Sequence, residues 1–236
     1  MCVLTFVPNK LGGYLLTNNR DENRNRMKAI PPKKYKIGDT TLYFPKDSKA
    51  GGTWIATNHK VTLCLLNGAT EKHVSTGSYL KSRGQIILDY FNFQNAGYFT
   101  KEQFKGIENF TLVYIENTAK KICQFVWDGT TLDIQHLEWG QARIWSSSTL
   151  YSKVIREKRE QLFFDFLQKN PSPEYSQLID FHHFADTGNP ENNLVMERED
   201  GTHTQCISQI FHKGSSIRFS YFDLVDRHQK SLIIFQ

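Results

Sequence analysis

Apolar residues alternate along much of the chain, as in strands, and recur at helical spacing in three places. Helical spacing predicts helices over residues 78–93, 151–170 and 174–184, the last opening after Pro173. An Asp128-Gly129 pair predicts a tight hairpin turn within an antiparallel meander. Strand patterns cover residues 2–7, 13–18, 40–44, 53–57, 61–67, 110–117, 121–128, 131–138, 206–211, 217–225 and 231–235.

A polar stretch over residues 20–39 interrupts these elements. It contains Pro31 and Pro32 and has too little periodicity for a helix. The sequence therefore predicts a surface loop beside the first two strands.

The order of the elements indicates the fold class. Strands, a helix, strands, two helices and strands follow one another without the strict strand-helix alternation of a doubly wound parallel sheet. Two antiparallel sheets flanked by helices fit this order best, which predicts an α+β fold, a four-layer αββα sandwich. The chain has 236 residues and no segment typical of a linker, so we expect one domain over residues 1–236.

Composition narrows the class of protein. Hydrophobic residues make up 39% of the chain, enough for a core without disulfides or metal. No apolar run approaches the roughly 18 residues that cross a bilayer, and the N-terminus lacks the features of a signal peptide. The four cysteines are scattered without a CxxC pair. We therefore expect a cytoplasmic protein with mostly buried, free thiols and no metal or other cofactor.

Positive charge is concentrated between Arg20 and Lys36, although the net charge is only +5. Such a cluster can bind an anion, so we expect a small-molecule substrate that bears a carboxylate or phosphate group. Nucleic acid is disfavoured, because the chain shows no recognition motif or long basic helix and the cluster holds few aromatic residues. The oligomeric state does not follow from the sequence.

Cys2 is the first candidate for chemistry. Removal of Met1 makes it the N-terminal residue, with a thiol beside an α-amine whose ordinary pKa of about 7.7–8.0 allows it to accept the thiol proton. The alternative is an inert buried thiol, since Cys2 alternates with Leu4 and Phe6 on one strand face.

Arg20 and Asp21 follow the second strand, where an antiparallel hairpin returns beside Cys2. An Arg there can hold a thiolate or a substrate carboxylate, and an adjacent Asp can orient the α-amine. The alternative is an exposed ion pair in a solvated loop. Asn67 ends an apolar strand before Gly68, where its amide either donates to an oxyanion or forms an ordinary turn.

Three further features have competing interpretations. Trp54 in GGTW is either a wall of a substrate site or a core residue. Gly51 and Gly52 indicate a bend or a close approach of two backbone segments. A metal pair is one interpretation of His182 and His183, but neighbouring helical residues point about 100° apart, which favours ordinary core or surface histidines.

Four segments together resemble the NRDE family, also called the Transport and Golgi organization protein 2 family. They are the MC start of the first strand, the NRDE tetrapeptide at 19–22, the AGGTWIATN run at 50–58 and the LLN strand end at 65–67. Weaker likeness at 145–154 and 201–210 extends the resemblance over the whole chain.

This resemblance implies an N-terminal nucleophile hydrolase, similar at its start to choloylglycine hydrolases and penicillin V acylases, which cleave amide bonds. It implies Cys2 as the nucleophile, Arg20 and Asp21 as the pair that tunes it, and Asn67 as an oxyanion donor. The residues expected to line the substrate site are Asn19, Trp54, Ser147 and His203.

Two hypotheses from different functional classes follow. One is a cysteine amidohydrolase or acyltransferase that acts on an amide without a cofactor. The other is a non-catalytic carrier or trafficking factor for haem or acyl lipids that retains the fold. Ser147 stands where the family usually has Asn, and His203 stands where it usually has Arg, and these departures slightly favour the carrier.

Overall fold

The computed structural model describes residues 3–93 and 98–235, which belong to two compact units. The first unit combines Met1–Arg26 with Gly140–Gln236, and the second is Met27–Trp139. The expectation of a single domain over residues 1–236 stays a prediction.

The described strands and helices follow the predicted order closely. The strands are β1 (Val3–Pro8), β2 (Tyr14–Asn23), β3 (Ile30–Ile37), β4 (Thr40–Lys46), β5 (Ile55–Thr57), β6 (Val61–Asn67), β7 (Phe110–Glu116), β8 (Lys121–Trp127), β9 (Leu132–Leu137), β10 (Arg143–Ser146), β11 (Thr202–Lys213), β12 (Ser216–Asp223) and β13 (His228–Phe235). The helices are α1 (Gln85–Phe93), α2 (Lys101–Phe104), α3 (Lys153–Lys169) and α4 (Tyr175–Phe184). Within the described residues, no helix has both the length and the apolar character needed to cross a membrane.

In the first unit, the described strands form a six-stranded antiparallel sheet in the order β10-β1-β2-β11-β12-β13. The hairpin between β1 and β2 is closed by Asn9, whose Oδ1 accepts hydrogen bonds from the backbone N–H groups of Leu11 and Gly13. Alternate strand residues such as Val3 and Val7 point to one face, where they form a core cluster with Phe163 of α3 and with α4.

In the second unit, the described strands form a seven-stranded antiparallel sheet in which each strand from β3 to β9 pairs with the next in sequence. The predicted tight turn between β8 and β9 is confirmed. Asp128 accepts hydrogen bonds from the N–H groups of Thr130 and Thr131, while Gly129 adopts a φ of 97°. This unit contains the predicted meander.

The prediction of a surface loop over residues 20–39 is wrong. β2 continues to Asn23, and β3 occupies Ile30–Ile37. Pro31 and Pro32 are tolerated because β3 is the edge strand of its sheet and its register shifts between Ile30 and Lys33, so the ladder does not need their missing N–H groups. The lysines of β3 are exposed, and charged side chains on an edge strand discourage further strand pairing.

The first predicted helix is shorter than its pattern. Residues 78–84 are irregular, and α1 begins only after Gly84. A Cβ at Gly84 would lie 2.7 Å from the Thr53 carbonyl oxygen, and one at Gly52 would meet the Gly84 backbone at 2.6 Å. The close backbone approach expected at Gly52 therefore exists, and it fixes the start of α1. The second and third predicted helices are confirmed as α3 and α4.

Candidate active site

The predicted nucleophile Cys2 lies outside the described residues, so the site is described from the strands that follow it in the sequence. Val3 of β1 pairs with Asn19 of β2, and Leu4 pairs with Asn18. The predicted antiparallel hairpin is confirmed. The NRDE tetrapeptide therefore lies within β2, at the end of the strand that pairs with the start of β1.

The NRDE side chains alternate between the two faces of the sheet, as strand geometry requires. Asn19 and Asp21 make contacts on the face that carries α3 and α4. Arg20 and Glu22 share the opposite face, where they contact each other. Arg20 and Asp21 are each only 3% exposed, so the alternative of a solvated Arg-Asp ion pair is wrong.

Arg20 is a buried cation that is held from two sides. Its Nη1 donates to Oε1 of Gln205, and its Nη2 donates to Oε2 of Glu22 at 3.3 Å. The same Glu22 oxygen forms an ion pair with Arg26, whose Nε lies 3.3 Å away. A guanidinium is planar with donors in a fixed fork, so contacts at both terminal nitrogens set its orientation.

Asn19 links β2 to α4 and to the segment around Leu194 through hydrogen bonds. Its Nδ2 donates to the carbonyl oxygens of His182 and Leu194, at 3.1 and 2.7 Å. Its Oδ1 must therefore be the acceptor for His182 Nδ1, 2.7 Å away. The other ring nitrogen, Nε2, then accepts from the Thr5 hydroxyl at 2.7 Å. These bonds are internal to the fold, and the predicted substrate-binding role of Asn19 stays a prediction.

His182 is a neutral, fully buried histidine. Burial lowers its pKa to about 3, and the positive charge of Arg159 acts in the same direction. His183 is exposed instead and stacks on Phe184, with ring centroids 4.3 Å apart. The two rings thus lie in different environments, as their helical spacing predicts.

Asp21 is bonded on the helix-bearing face. Its Oδ2 accepts from the hydroxyl of Tyr151 at 2.9 Å, and its Oδ1 accepts from the hydroxyl of Thr204 at 2.6 Å. The Tyr151 ring lies under the buried guanidinium of Arg159, whose central carbon is 3.6 Å from the ring centroid. Tyr151 thus contacts both charges, Asp21 through its hydroxyl and Arg159 through the face of its ring.

The two positions at which the sequence departs from its resemblance have local partners. Ser147 is buried, and its hydroxyl lies 2.7 Å from that of Thr149. His203 pairs across the ladder with Glu22, and its Nδ1 lies 3.4 Å from the carbonyl oxygen of Gly201. A substrate role for Ser147 or His203 stays a prediction.

Asn67 and Trp54 belong to the second unit. Asn67 is the last residue of β6 and pairs with Phe110, and the following Gly68 adopts a φ of 87°. Trp54 is buried, and its carbonyl oxygen accepts from the Leu65 N–H at 2.8 Å. Asn67 thus lies at a strand end that is followed by a glycine turn. That Asn67 donates to an oxyanion, and that Trp54 forms a wall of the substrate site, stay predictions.

The three described cysteines are buried, free thiols. Burial raises the pKa of Cys64 far above its ordinary value and raises that of Cys123 as well. Burial also raises the pKa of Cys206 to about 12, despite the opposing charge of Arg20 across the ladder. None of these three is a thiolate near neutral pH, so the described thiols are poor nucleophiles.

The basic cluster between Arg20 and Lys36 is divided between the two units. Arg24 forms an exposed ion pair with Glu197, and Arg26 pairs with Glu22. Such contacts satisfy part of the positive charge on which an anionic substrate would rely. Among the described residues, one group of metal-ligating side chains lies within 4.8 Å of one another, namely Asp223, Asp226 and His228. Asp226 and His228 are exposed, and Asp223 Oδ1 already accepts two backbone N–H groups.

Two clefts lie elsewhere on the described surface. One of about 360 Å³ lies beside β10 and α3 in the first unit, and one of about 560 Å³ in the second unit is lined by α1 and the turns that begin β4 and β6. Neither of these clefts is lined by a predicted site residue.

Sequence reasoning missed the residues that hold the NRDE side chains. Gln205, His182, Tyr151 and Thr204 lie at least 130 positions from their partners in the tetrapeptide. For Tyr151, Thr204 and Gln205 the available signal was their position in the weaker likeness at 145–154 and 201–210, which gave no pairing, and His182 lies outside both segments. Long-range contacts of this kind follow from strand order, which the pattern of elements did not supply.

A family model described as Transport and Golgi organisation 2 matches residues 1–211 of the chain. Among solved structures, the fold is similar to that of a Caenorhabditis elegans N-acylethanolamine-hydrolyzing acid amidase (NAAA) ortholog, with a TM-score of 0.55 and 8% sequence identity over 89% of this chain and 92% of that chain. At this identity the likeness shows the fold alone. It confirms the predicted α+β class of the N-terminal nucleophile hydrolase type. No curated protein gives a significant match.

Proposed function

Since the chain belongs to the Transport and Golgi organisation 2 family, we propose that it is a cysteine N-terminal-nucleophile amidohydrolase or acyltransferase. In this proposal the removal of Met1 exposes Cys2, whose thiol attacks the carbonyl carbon of an amide. Family membership and the fold support this assignment, and the reaction at Cys2 is our proposal.

The observation that carries the proposal is the buried guanidinium of Arg20. Arg20 directly follows Asn19, the β2 partner of Val3, and Val3 directly follows Cys2 in sequence. We propose that the Arg20 guanidinium acts on the thiol of Cys2. A fixed positive charge close to a thiol stabilises the thiolate and lowers the thiol pKa, commonly by about 1–3 units.

The reaction needs no group beyond the chain and water. The Cys2 thiol gives its proton to the α-amine, and the thiolate sulfur bonds to the amide carbon to form a tetrahedral oxyanion. The α-ammonium returns the proton to the departing nitrogen as the C–N bond breaks, which leaves a thioester. Water then adds to the thioester, releasing a carboxylic acid and restoring the thiol. An amine or alcohol in place of water would make the same site an acyltransferase.

Asn67 is proposed as a donor to the oxyanion, on the basis of the family resemblance of its LLN segment. Asp21 stays proposed as the residue that orients the α-amine. Its two carboxylate oxygens accept from Tyr151 and Thr204, which fixes its position, and an ionised carboxylate can accept further hydrogen bonds. Arg20 and Asp21 together are then the pair that tunes Cys2.

N-acyl amides are the substrate class to test first. The similar solved structure carries the name of an enzyme that hydrolyses N-acylethanolamines, and an amide of that kind offers the carbonyl that the proposal requires. The chain and its Cys2→Ala variant should be incubated with a panel of N-acyl amides, including N-acylethanolamines and N-acyl amino acids. We expect turnover of at least one member, abolished by Cys2→Ala. Turnover that survives Cys2→Ala would exclude this mechanism.

A carrier for haem or acyl lipids is the second candidate. Ser147 has no side-chain amide at a position where the family usually has Asn, and its hydroxyl is buried and lies 2.7 Å from that of Thr149. Saturable binding of haem or an acyl-CoA that is equal in the chain and in Cys2→Ala, without turnover of any amide in the panel, would favour this candidate over the hydrolase.

A further inference from the structure

One extra residue interrupts the ladder between β2 and β11. Thr204 pairs with Asp21 and Cys206 pairs with Arg20, so Gln205 has no residue opposite it. Side chains normally alternate along a strand, but this β-bulge puts Gln205 and Cys206 in succession on the face of Arg20, while Thr204 bonds to Asp21 on the other face. Bulges commonly re-aim one side chain next to a functional site.

The re-aimed side chain of Gln205 reaches the guanidinium of Arg20. Its Oε1 accepts from Nη1, while Glu22 accepts from Nη2 at 3.3 Å. Gln205 is buried, so bulk water competes little for this hydrogen bond. Two acceptors on different nitrogens fix the plane of the guanidinium as well as its position.

The acceptor at position 205 carries no charge, so it adds nothing to the partial offset of the Arg20 charge by Glu22. A carboxylate there would form an ion pair and cancel much of the field of Arg20. The nearby carboxylate of Glu22 is divided between Arg20 and Arg26, with 3.3 Å to each. Cys206, opposite Arg20, remains a neutral thiol because burial raises its pKa to about 12.

We propose that Gln205 is a positioning residue, which holds Arg20 in the orientation that serves Cys2 without placing a second carboxylate beside it. This inference rests on the proposed function, because it requires Arg20 to act on the Cys2 thiol. The β-bulge of β11 then serves to bring a neutral acceptor, Gln205, onto the face of β2 that carries Arg20.

The test is the reactivity of Cys2 as a function of pH, followed as its rate of alkylation by iodoacetamide and assigned by peptide mass spectrometry. Gln205→Leu removes the acceptor, and we expect the rate near neutral pH to fall about tenfold, as a rise of one unit in the thiol pKa requires. Gln205→Glu keeps the size and the hydrogen bond but adds a charge, so we expect a similar fall. Because it is nearly isosteric, this second variant keeps the test valid if Gln205→Leu does not fold.

The matched control is Gln209→Leu. Gln209 is also a buried glutamine of β11, but its Nε2 donates to Thr17 and to the carbonyl oxygen of Tyr175. We expect this variant to lose stability without changing the pH profile of Cys2.

Arg20→Met separates failure of the inference from failure of the proposed function. If Arg20→Met slows alkylation and the Gln205 variants do not, the positioning role is overturned and the proposed function stands. If Arg20→Met leaves the profile unchanged, the role of Arg20 in the proposed function is overturned. If Gln209→Leu shifts the profile as far as Gln205→Leu does, the effect is merely structural and the inference fails.

Discussion

At the residue scale, the side chains of the NRDE tetrapeptide make contacts on both faces of β2. Asn19 and Asp21 point to the helix-bearing face and bond to His182 and Tyr151. Arg20 points to the opposite face, where Gln205 holds it. Because successive strand side chains alternate, the motif places Asn19 and Asp21 on one face and the buried cation of Arg20 on the other.

The first prediction concerns the hydroxyl of Tyr151. Tyr151→Phe removes the donor to Asp21 Oδ2 and leaves a buried carboxylate oxygen without that bond. We expect the free energy of unfolding to fall by about 1–3 kcal/mol, measured by urea denaturation. In an Asp21→Asn background the same substitution should cost clearly less, because the charged acceptor is gone. An equal cost in both backgrounds would show that the Asp21 contact is not the cause.

The second prediction concerns pH and His182. Burial lowers its pKa to about 3 in the folded chain, against an ordinary value of 6.5. Between these two pKa values, His182 is protonated in the unfolded chain and neutral in the folded chain. This part of the stability is fully present above pH 6.5 and is lost as pH falls towards 3, with a slope of about 1.4 kcal/mol per pH unit.

Urea denaturation across this pH range should show the slope in the chain and a smaller slope in His182→Gln. His183→Gln is the matched control, since His183 is the exposed neighbour on the same helix. It should retain the slope of the unmodified chain. A His182→Gln variant with an unchanged slope would contradict the neutral assignment of the ring.

The candidate site was predicted from sequence only as far as local pattern allows. The hairpin that brings β2 back to β1 follows from two apolar runs and a glycine-containing turn. The polarity of residues 20–23 suggested a loop, whereas their side chains are satisfied by partners such as Gln205 and Thr204. Burial of polar residues depends on such long-range partners, and a single sequence does not show them.

At the element scale, the prediction succeeded where periodicity was long and failed where glycine or proline decided the backbone. α3 and α4 carry helical patterns over many residues and were found as predicted. α1 was shortened by the close approach at Gly84, and β3 formed despite two prolines because it lies at a sheet edge. The four-residue β10 was not predicted, since so short a strand has too few alternations to detect.

The third prediction tests how α3 docks on the first sheet. Phe163 is fully buried in the cluster with Val3 and Leu178, whereas its neighbour Phe164 is 40% exposed. Phe163→Ala should lower the free energy of unfolding by about 3–5 kcal/mol through lost burial and a cavity. Phe164→Ala is the matched control and should cost about 1 kcal/mol or less. Equal costs, measured by urea denaturation, would contradict the orientation of α3.

At the scale of the whole molecule, the cysteines differ sharply in expected reactivity. Cys64, Cys123 and Cys206 are buried thiols with raised pKa values. The proposed function assigns the reactive thiolate to Cys2 alone. Three unreactive thiols therefore provide an internal background against which one reactive thiol can be detected.

Native alkylation read by intact and peptide mass spectrometry tests this central claim most directly. The chain should lack Met1 and take up a single carbamidomethyl group on Cys2, while Cys64, Cys123 and Cys206 react only after denaturation. A native chain that retains Met1 quantitatively would contradict the account. So would a native adduct on one of the buried cysteines with Cys2 unmodified.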